Sequence, residues 1–365
     1  MSGTSLDGVD GVLVHIPDNY SGGSLQMQAA AHVAFPAGLR AELMSLQSAG
    51  ENEIEKEALA ANVLAKIYAD CVAQVLAQTG VVREQVHAVG VHGQTIRHRP
   101  ELGYTRQTNN PALLAELISI DVIADFRSRD IAAGGQGAPL VSAFHQAVFG
   151  KDKETRVVVN IGGIANISVL HGDGNVVGFD TGPGNVLMDA WIGKHHGTSY
   201  DENGDWAASG KVIPALLETL LTEPFLSQPP PKSTGRDLFH IEWLNAKLQD
   251  FSGVRPQDVQ ATLAAFTANT IIDAIVAYAP FSGAVNVCGG GAYNTHLMQQ
   301  LQATLQAHGQ HTSVESTSAL GISPEHVEAL AFAWLAQRFC LRQTGNLPVV
   351  TGSQGFRVLG ALYPG

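Results

Sequence analysis

Apolar residues recur every three or four positions along 54–78, 258–279 and 324–341, which predicts three helices that each bury one face. Between them the pattern changes to short β-branched apolar runs that end in glycine clusters. VHAVGVHGQT (86–95), RVVVNIGGIANISVL (156–170), NVVGFDTGPGN (175–185) and AVNVCGGGAYN (284–294) each predict a strand that meets a tight turn. The second and third of these are separated only by HGDGN, so they form an antiparallel hairpin, and the C-terminal half begins as a β-meander. GTSLDGVDGVLVHI (3–16) places a similar polar turn ahead of an apolar strand, and the two hairpin starts predict two related halves. No fixed-period repeat is visible, so the relation is one of topology. The segment 227–237, SQPPPKSTGRD, is turn-rich and poor in apolar residues and is expected to run as an extended, polyproline-like loop.

Strands alternating with helices make this an α/β protein. Its 365 residues suffice for two domains or one large composite one. At 45% hydrophobic and 15% charged, the chain belongs with ordered globular proteins. The net charge of −12 comes with no basic run to neutralise phosphates in a row, which excludes nucleic acid as the expected partner. Cys71, Cys288 and Cys340 are too few and too scattered for a disulfide framework or a four-cysteine zinc site, and they suit a reducing compartment. The polar opening MSGTSLDGVD and the lack of any run of about 18 apolar residues support neither export nor membrane insertion, so a cytoplasmic enzyme is expected.

Common motifs are absent. None of the Gly-Lys pairs is followed by Ser or Thr as a Walker A loop requires, and Gly289-Gly290-Gly291 lacks the spacing of a dinucleotide fingerprint. There is no His-Glu-x-x-His and no Gly-x-Ser-x-Gly elbow. What remains is a set of glycine turns whose backbone amides can converge on phosphate. The 1–10 turn offers the Thr4 and Ser5 hydroxyls as donors and Asp7 or Asp10 as partners for metal-bound water, and 160–166 offers a second turn. Each could equally be a plain structural turn.

Asp180 closes an apolar strand ahead of Thr181-Gly182-Pro183-Gly184-Asn185, where it is either a partly desolvated general base or an Asx-type cap of its loop. Arg127 and Arg129 could clamp an anion or line a solvated face. His92, Gln94, Arg97 and His98 suit a polyhydroxylated ligand better than a metal. Lys232, Ser233, Thr234, Gly235 and Arg236 could touch substrate, though a flexible surface loop is the favoured reading. Glu328 either points at a ligand or pairs with a buried cation, and Trp191 fits a packed helix better than a sugar platform.

MSGTSLDGVD, GVHGQTIRHRP, NNPALLAEL, ADFRSRDIAAGGQGAPLVSAFHQAVF, NIGGIANIS, GFDTGPGNVLMDAWI, PKSTGRD, VCGGGAYN and LGALYPG together closely resemble the anhydro-N-acetylmuramic acid kinase family over nearly the whole chain. The resemblance implies a two-lobed sugar kinase/Hsc70/actin-like fold, ribonuclease H-like in each lobe, with an interdomain cleft. The lobes expected are 1–130 plus 343–365 and 131–342. It implies that ATP phosphorylates 1,6-anhydro-N-acetylmuramic acid while water opens the anhydro ring, giving N-acetylmuramic acid 6-phosphate and ADP in cell-wall recycling.

By the same resemblance Gly3, Thr4, Ser5, Leu6, Asp7, Gly8, Val9 and Asp10 form the first ATP loop. Asn160, Gly162 and Gly163 belong to the second, and Gly289, Gly290 and Gly291 to the nucleotide side. Asp180 is the general base for the attacking water, and Arg129, His92, Gln94 and Glu328 hold the sugar. Mg2+ is the expected cofactor beside ATP, its protein ligands unassigned. The implied partners are these small molecules and a second copy in a homodimer, with neither nucleic acid nor membrane. Members of the family usually carry a further strand ahead of MSGTSLDG, so the first loop is expected to lack that support here. The competing readings are a kinase of the same fold for another amino sugar and a non-catalytic sugar or nucleotide sensor.

Overall fold

The computed structural model describes every residue except Thr4, Ser5, Asn19, Ser21, Gly23 and Ser24. The described strands are β1 (Gly8–His15), β2 (Gln26–Ala34), β3 (Val89–Gly90), β4 (Gln94–Arg99), β5 (Tyr104–Thr108), β6 (Val122–Ala124), β7 (Arg156–Ile161), β8 (Ile164–Leu170), β9 (Val176–Pro183), β10 (Ala284–Cys288), β11 (Val314–Ser316) and β12 (Ala361–Tyr363). The predicted helices form at Glu53–Thr79, Pro256–Tyr278 and Val327–Cys340. The chain divides into two compact units, Met1–Val148 with His326–Gly365, and Phe149–Glu325.

The second unit carries a five-stranded sheet in the order β11-β10-β7-β8-β9. β7, β8 and β9 form the antiparallel meander read from the sequence, while β10 and β11 run parallel to β7 and to β10 respectively. An antiparallel meander extended on one side by parallel strands is the ribonuclease H-like arrangement. Parallel strands need long crossovers, and the helix Pro256–Tyr278 supplies one. It is buried almost throughout, from Val259 to Ile275, and packs with the sheet residues Val157, Val159, Ile161, Ile167 and Phe179. Its length and apolar composition would also suit a bilayer, as would those of Glu53–Thr79; a helix with this much surface packed in a core has an ordinary explanation for both.

The first unit has the same ingredients in a looser form. β1 pairs with β2, β12 and β3 flank β6, and β4 pairs with β5. The helix Glu53–Thr79 lays Ala60, Leu64, Tyr68, Cys71 and Val75 into the core of this unit, together with Leu6, Val9 and Val122. A cavity of about 750 Å³ lies between β1 and β3, walled by that helix and by Val327–Cys340.

The unit boundaries differ from the sequence expectation. Residues 131–148 and 326–342 belong to the first unit. The reason is packing: Phe332 of the helix Val327–Cys340 packs at a tilt against His92 and Phe126, with ring centroids 4.6 and 5.6 Å away, and Gln337 Nε2 donates to the carbonyls of Ile16 and Pro17.

Candidate functional site

In the second unit the turn between β7 and β8 brings three glycine segments together. The amides of Gly184 and Val186 donate to the Gly163 carbonyl at 2.9 and 3.1 Å, and Asn185 N donates to Gly162 O at 2.8 Å. A Cβ on Gly184 would lie 2.3 Å from Gly162 O, so only glycine lets β9 close on this turn. From the other side, a Cβ on Gly291 would meet Ile161 Cγ2 at 2.3 Å. Asn160, Gly162 and Gly163 thus share one corner with Gly289, Gly290 and Gly291. The corner also holds Gly184 and Asn185 from the loop that follows Asp180.

Asp180 lies within β9 opposite Asn166, three residues before the strand ends, and not at the strand's close as the sequence suggested. It is 7% exposed. Its Oδ2 accepts the Thr234 amide at 2.9 Å, and its own amide donates to Lys232 O at 3.3 Å. The carboxylate therefore holds a segment 54 residues away in sequence. Segment 232–236 is correspondingly no free surface loop at its start. Lys232 is 7% exposed, because its Nζ is satisfied by the carbonyls of Phe225 and Leu226 at 3.1 and 2.9 Å and lies over the Phe225 and Phe179 rings. Burial lowers its pKa, and the charge of Asp180 opposes that shift. Trp191 is a core residue as expected, with Nε1 donating to Pro256 O at 2.8 Å.

In the first unit Thr4 and Ser5 lie outside the described residues. Around them, the Leu6 and Val9 side chains belong to the core, so these two residues offer a ligand main chain only. Asp7 is exposed, and Asp10 Oδ1 meets His32 Nδ1 at 2.8 Å. Gly3 and Ser2 are tied down from β4 and the turn before it. Gln94 Nε2 donates to Gly3 O at 3.0 Å, His92 Nδ1 faces Ser2 O at 3.4 Å, and Ser2 Oγ meets the Tyr68 hydroxyl at 2.7 Å. His92 and Gln94 are buried, and what they hold is the first loop itself. Gln94 Oε1 is buried with no hydrogen-bond partner among the described residues, which leaves one acceptor for a ligand group.

Arg127 Nε donates to His92 Nε2 at 2.9 Å and its Nη1 to Gly137 O at 2.7 Å, so it is engaged within the fold, whereas Arg129 on the short helix Ser128–Ala132 is exposed. Arg97 pairs with Glu53 at 2.7 Å and His98 Nδ1 with Thr105 Oγ1 at 2.9 Å. Glu328 is half-buried in the first turn of Val327–Cys340, and its charge acts on the buried amino group of Met1.

One feature escaped the sequence reading altogether. Asp130, fully buried, accepts from Asn346 Nδ2, Thr351 Oγ1 and the Gly137 amide, each at 2.8 Å. This carboxylate fixes the 127–137 loop, and with it Arg129, to a segment over 200 positions downstream. Among the described residues no group of three or more His, Cys, Asp or Glu side chains is placed to hold a metal ion.

The family model described as anhydro-N-acetylmuramic acid kinase matches residues 1–365. Proteins named anhydro-N-acetylmuramic acid kinase from Burkholderia orbicola and Cupriavidus pinatubonensis are 57% and 56% identical to this chain. The two matches cover all of it, and 95% and 97% of those proteins respectively. Among solved structures, the activator of the 2-hydroxyisocaproyl-CoA dehydratase from Clostridium difficile aligns with 90% of this chain and 94% of its own at 13% identity and a TM-score of 0.44. On the full-length match and the identity to its relatives, the chain belongs to the anhydro-N-acetylmuramic acid kinase family.

Proposed function

We propose that this chain uses ATP to phosphorylate O6 of 1,6-anhydro-N-acetylmuramic acid while water opens the anhydro ring, releasing N-acetylmuramic acid 6-phosphate and ADP. The observation that carries the reading is Asp180, a nearly buried carboxylate held by the Thr234 amide beside a turn of converging glycines. A carboxylate removed from bulk water is a better base than one in solution, and a fixed oxygen is already aimed. Asp180 takes a proton from water as that water attacks the anomeric carbon, and the freed 6-oxygen attacks the γ-phosphorus.

Asn160, Gly162, Gly163 and Gly289–Gly291 hold nucleotide in the second unit. Their glycines leave the main chain open to phosphate oxygens, and no side chain is needed for that contact. In the first unit Gly3–Asp10 presents main chain to phosphate, kept in place by His92 and Gln94. Arg129 and Glu328 hold the sugar. Asp7 or Asp10 would reach a magnesium ion through water, since among the described residues no group of three or more His, Cys, Asp or Glu side chains forms a cage for one. The ion supplies charge compensation on the phosphates.

The test is ATP consumption with magnesium and 1,6-anhydro-N-acetylmuramic acid, followed by mass analysis of the sugar. A product heavier by one phosphate and one water is expected. A gain of phosphate without water would remove the role given to Asp180, and the absence of turnover would favour a binding protein over an enzyme.

A further inference from the structure

We infer that Thr267 is a positioning residue for the second ATP turn: its hydroxyl, on the buried helix Pro256–Tyr278, holds the 183–184 main chain against Gly162 and Gly163. The inference rests on the reading that Asn160, Gly162 and Gly163 hold nucleotide.

A threonine inside a helix commonly returns its hydroxyl to the carbonyl three or four residues back. Thr262 and Thr270 of this helix do so, donating to Asp258 O at 2.7 Å and to Thr267 O at 3.0 Å. Asn269 does the same with Ala265 O at 2.7 Å. Thr267 departs from this pattern. Its Oγ1 reaches out of the helix and donates to Pro183 O at 3.1 Å and to Gly184 O at 2.9 Å, more than 80 positions away along the chain. One hydrogen shared between two carbonyls is a three-centre bond, so both carbonyls depend on the same hydroxyl.

Those carbonyls belong to the turn that leads from β9 into the helix Val186–His196. The amides of this turn have different partners: Gly184 N and Val186 N donate to Gly163 O, and Asn185 N donates to Gly162 O. The turn is thus fastened to the glycines through its N–H groups and to the helix through its C=O groups. Pro183, Gly184 and Thr267 are all buried, so bulk water does not replace the hydroxyl if it is removed. Gly184 has no side chain of its own to anchor it, and a Cβ there would strike Gly162 O. Its position has to come from a neighbour. The helix is a firm one, because Phe266 and Ala268, on either side of Thr267, belong to the same core as Val159 and Ile161 of β7. The strand that enters the glycine turn and the hydroxyl that braces it from behind are therefore referred to one packed core.

The experiment measures the Kd of magnesium-ATP by titration calorimetry, with Tm alongside, for wild type, Thr267→Val, Thr267→Ser and Gly184→Ala. Valine keeps the shape of threonine and removes the hydroxyl, whereas serine keeps the hydroxyl and removes the methyl. Thr267→Val should weaken ATP binding by about tenfold, because a contact group that shifts loses its aim. Thr267→Ser should bind ATP as wild type does, whatever it loses in Tm. A merely structural threonine would lower the Tm of both variants and leave the Kd of the folded protein alone. A wild-type Kd in Thr267→Val therefore overturns the inference, as does an equal weakening in Thr267→Ser. Gly184→Ala tests the underlying reading separately. If it too binds ATP as wild type does, Gly162 and Gly163 do not bear on the nucleotide and that reading fails; if it is weakened while Thr267→Val is not, only the role of Thr267 fails. Should Thr267→Val not fold, Thr267→Cys takes its place, since a thiol is a weak donor. Weakened binding there with Thr267→Ser intact supports the inference, and an unchanged Kd overturns it.

Discussion

Arg127 donates from Nε to Nε2 of His92 at 2.9 Å, which fixes the imidazole as an acceptor on that side and puts its proton on Nδ1, toward the carbonyl of Ser2. A second proton would have to displace the guanidinium donor. Burial, first, and the Arg127 charge, second, hold the His92 pKa well below its usual value. His92 should therefore stay neutral from pH 8 to pH 5 in the folded protein, as followed by its imidazole NMR signals. Arg127→Met should raise its pKa but leave it below about 6.5, because burial is the larger cause and remains. A His92 that titrates normally in wild type would contradict the bond assignment.

The same physics predicts how stability depends on acid. Burial pulls His145 down to about 3 and His98 to about 4. In the unfolded chain both take up a proton near pH 6.5, so below that value the unfolded state binds more protons than the folded one and stability falls with pH. The loss is about 1.4 kcal/mol per pH unit for each such histidine and ends near its folded pKa. Urea unfolding should show a stability loss between pH 6.5 and 4.5 that is shallower in His145→Gln. An equal loss in both proteins would show that His145 does not carry this dependence.

Asp130 answers three donors at 2.8 Å, and Asp130→Asn would turn its amide nitrogen toward at least one of them. A buried donor left facing a donor forfeits its bond and its hydration. We expect a loss of about 2–4 kcal/mol in urea unfolding. Sugar affinity should weaken as well, since Arg129 sits on the loop that Asp130 pins. Wild-type stability would mean that the donor facing the new amide finds another acceptor or water.

Which of these features the sequence displayed follows from the range of the interactions. The β8–β9 hairpin is legible because HGDGN is a local turn signal, and the helix Pro256–Tyr278 because its spacing repeats within the segment itself. The family motifs marked the glycine runs 160–163 and 289–291, while their meeting in one corner depends on the β7–β10 pairing and was not legible in either run. Lys232 was misread because a lysine after three prolines looks solvated, and only the approach of Phe225 and Phe179 removes it from water. Asp130 was passed over because its partners, Asn346 and Thr351, lie in a segment with no motif linking it to the 127–137 loop. The extent of the first unit failed for a similar reason: the C-terminal helix reads as amphipathic, but nothing in its pattern says that Phe332 meets His92.

Gly184 offers a test of the nucleotide corner that leaves its polar groups in place. A methyl there would collide with the Gly162 carbonyl and push the β7–β8 turn away from Gly289–Gly291. Gly184→Ala should raise the KM for ATP by about tenfold or more, because a displacement of that order at a positioned contact is expensive. Folding should survive, since the clash lies at a turn. An unchanged KM would indicate that Gly162 and Gly163 do not bear on the nucleotide.

The last prediction concerns the cavity between β1 and β3. Met1 and Asp10 exchange main-chain hydrogen bonds, Met1 N to Asp10 O at 2.7 Å and Asp10 N to Met1 O at 2.8 Å, as paired residues of antiparallel strands do. Residues added ahead of Met1 would continue along β1 past Val12 toward His15, into the cavity those residues line. The side walls are apolar: Cys71, Val72 and Val75 from one helix, Ala329, Ala333 and Ala336 from the other. Burial already lowers the pKa of the Met1 ammonium, and an amide nitrogen in its place would keep the bond to Asp10 without a buried charge. An extension of about five β-branched residues should therefore raise the Tm by about 5 °C or more, given roughly 1.5–3 kcal/mol for each side chain fully buried. Hydrogen exchange should slow at the amides of Val12 and its neighbours, while an extension of alternating aspartate and lysine should do neither. If the apolar extension leaves both quantities unchanged, the edge of β1 does not accept a strand.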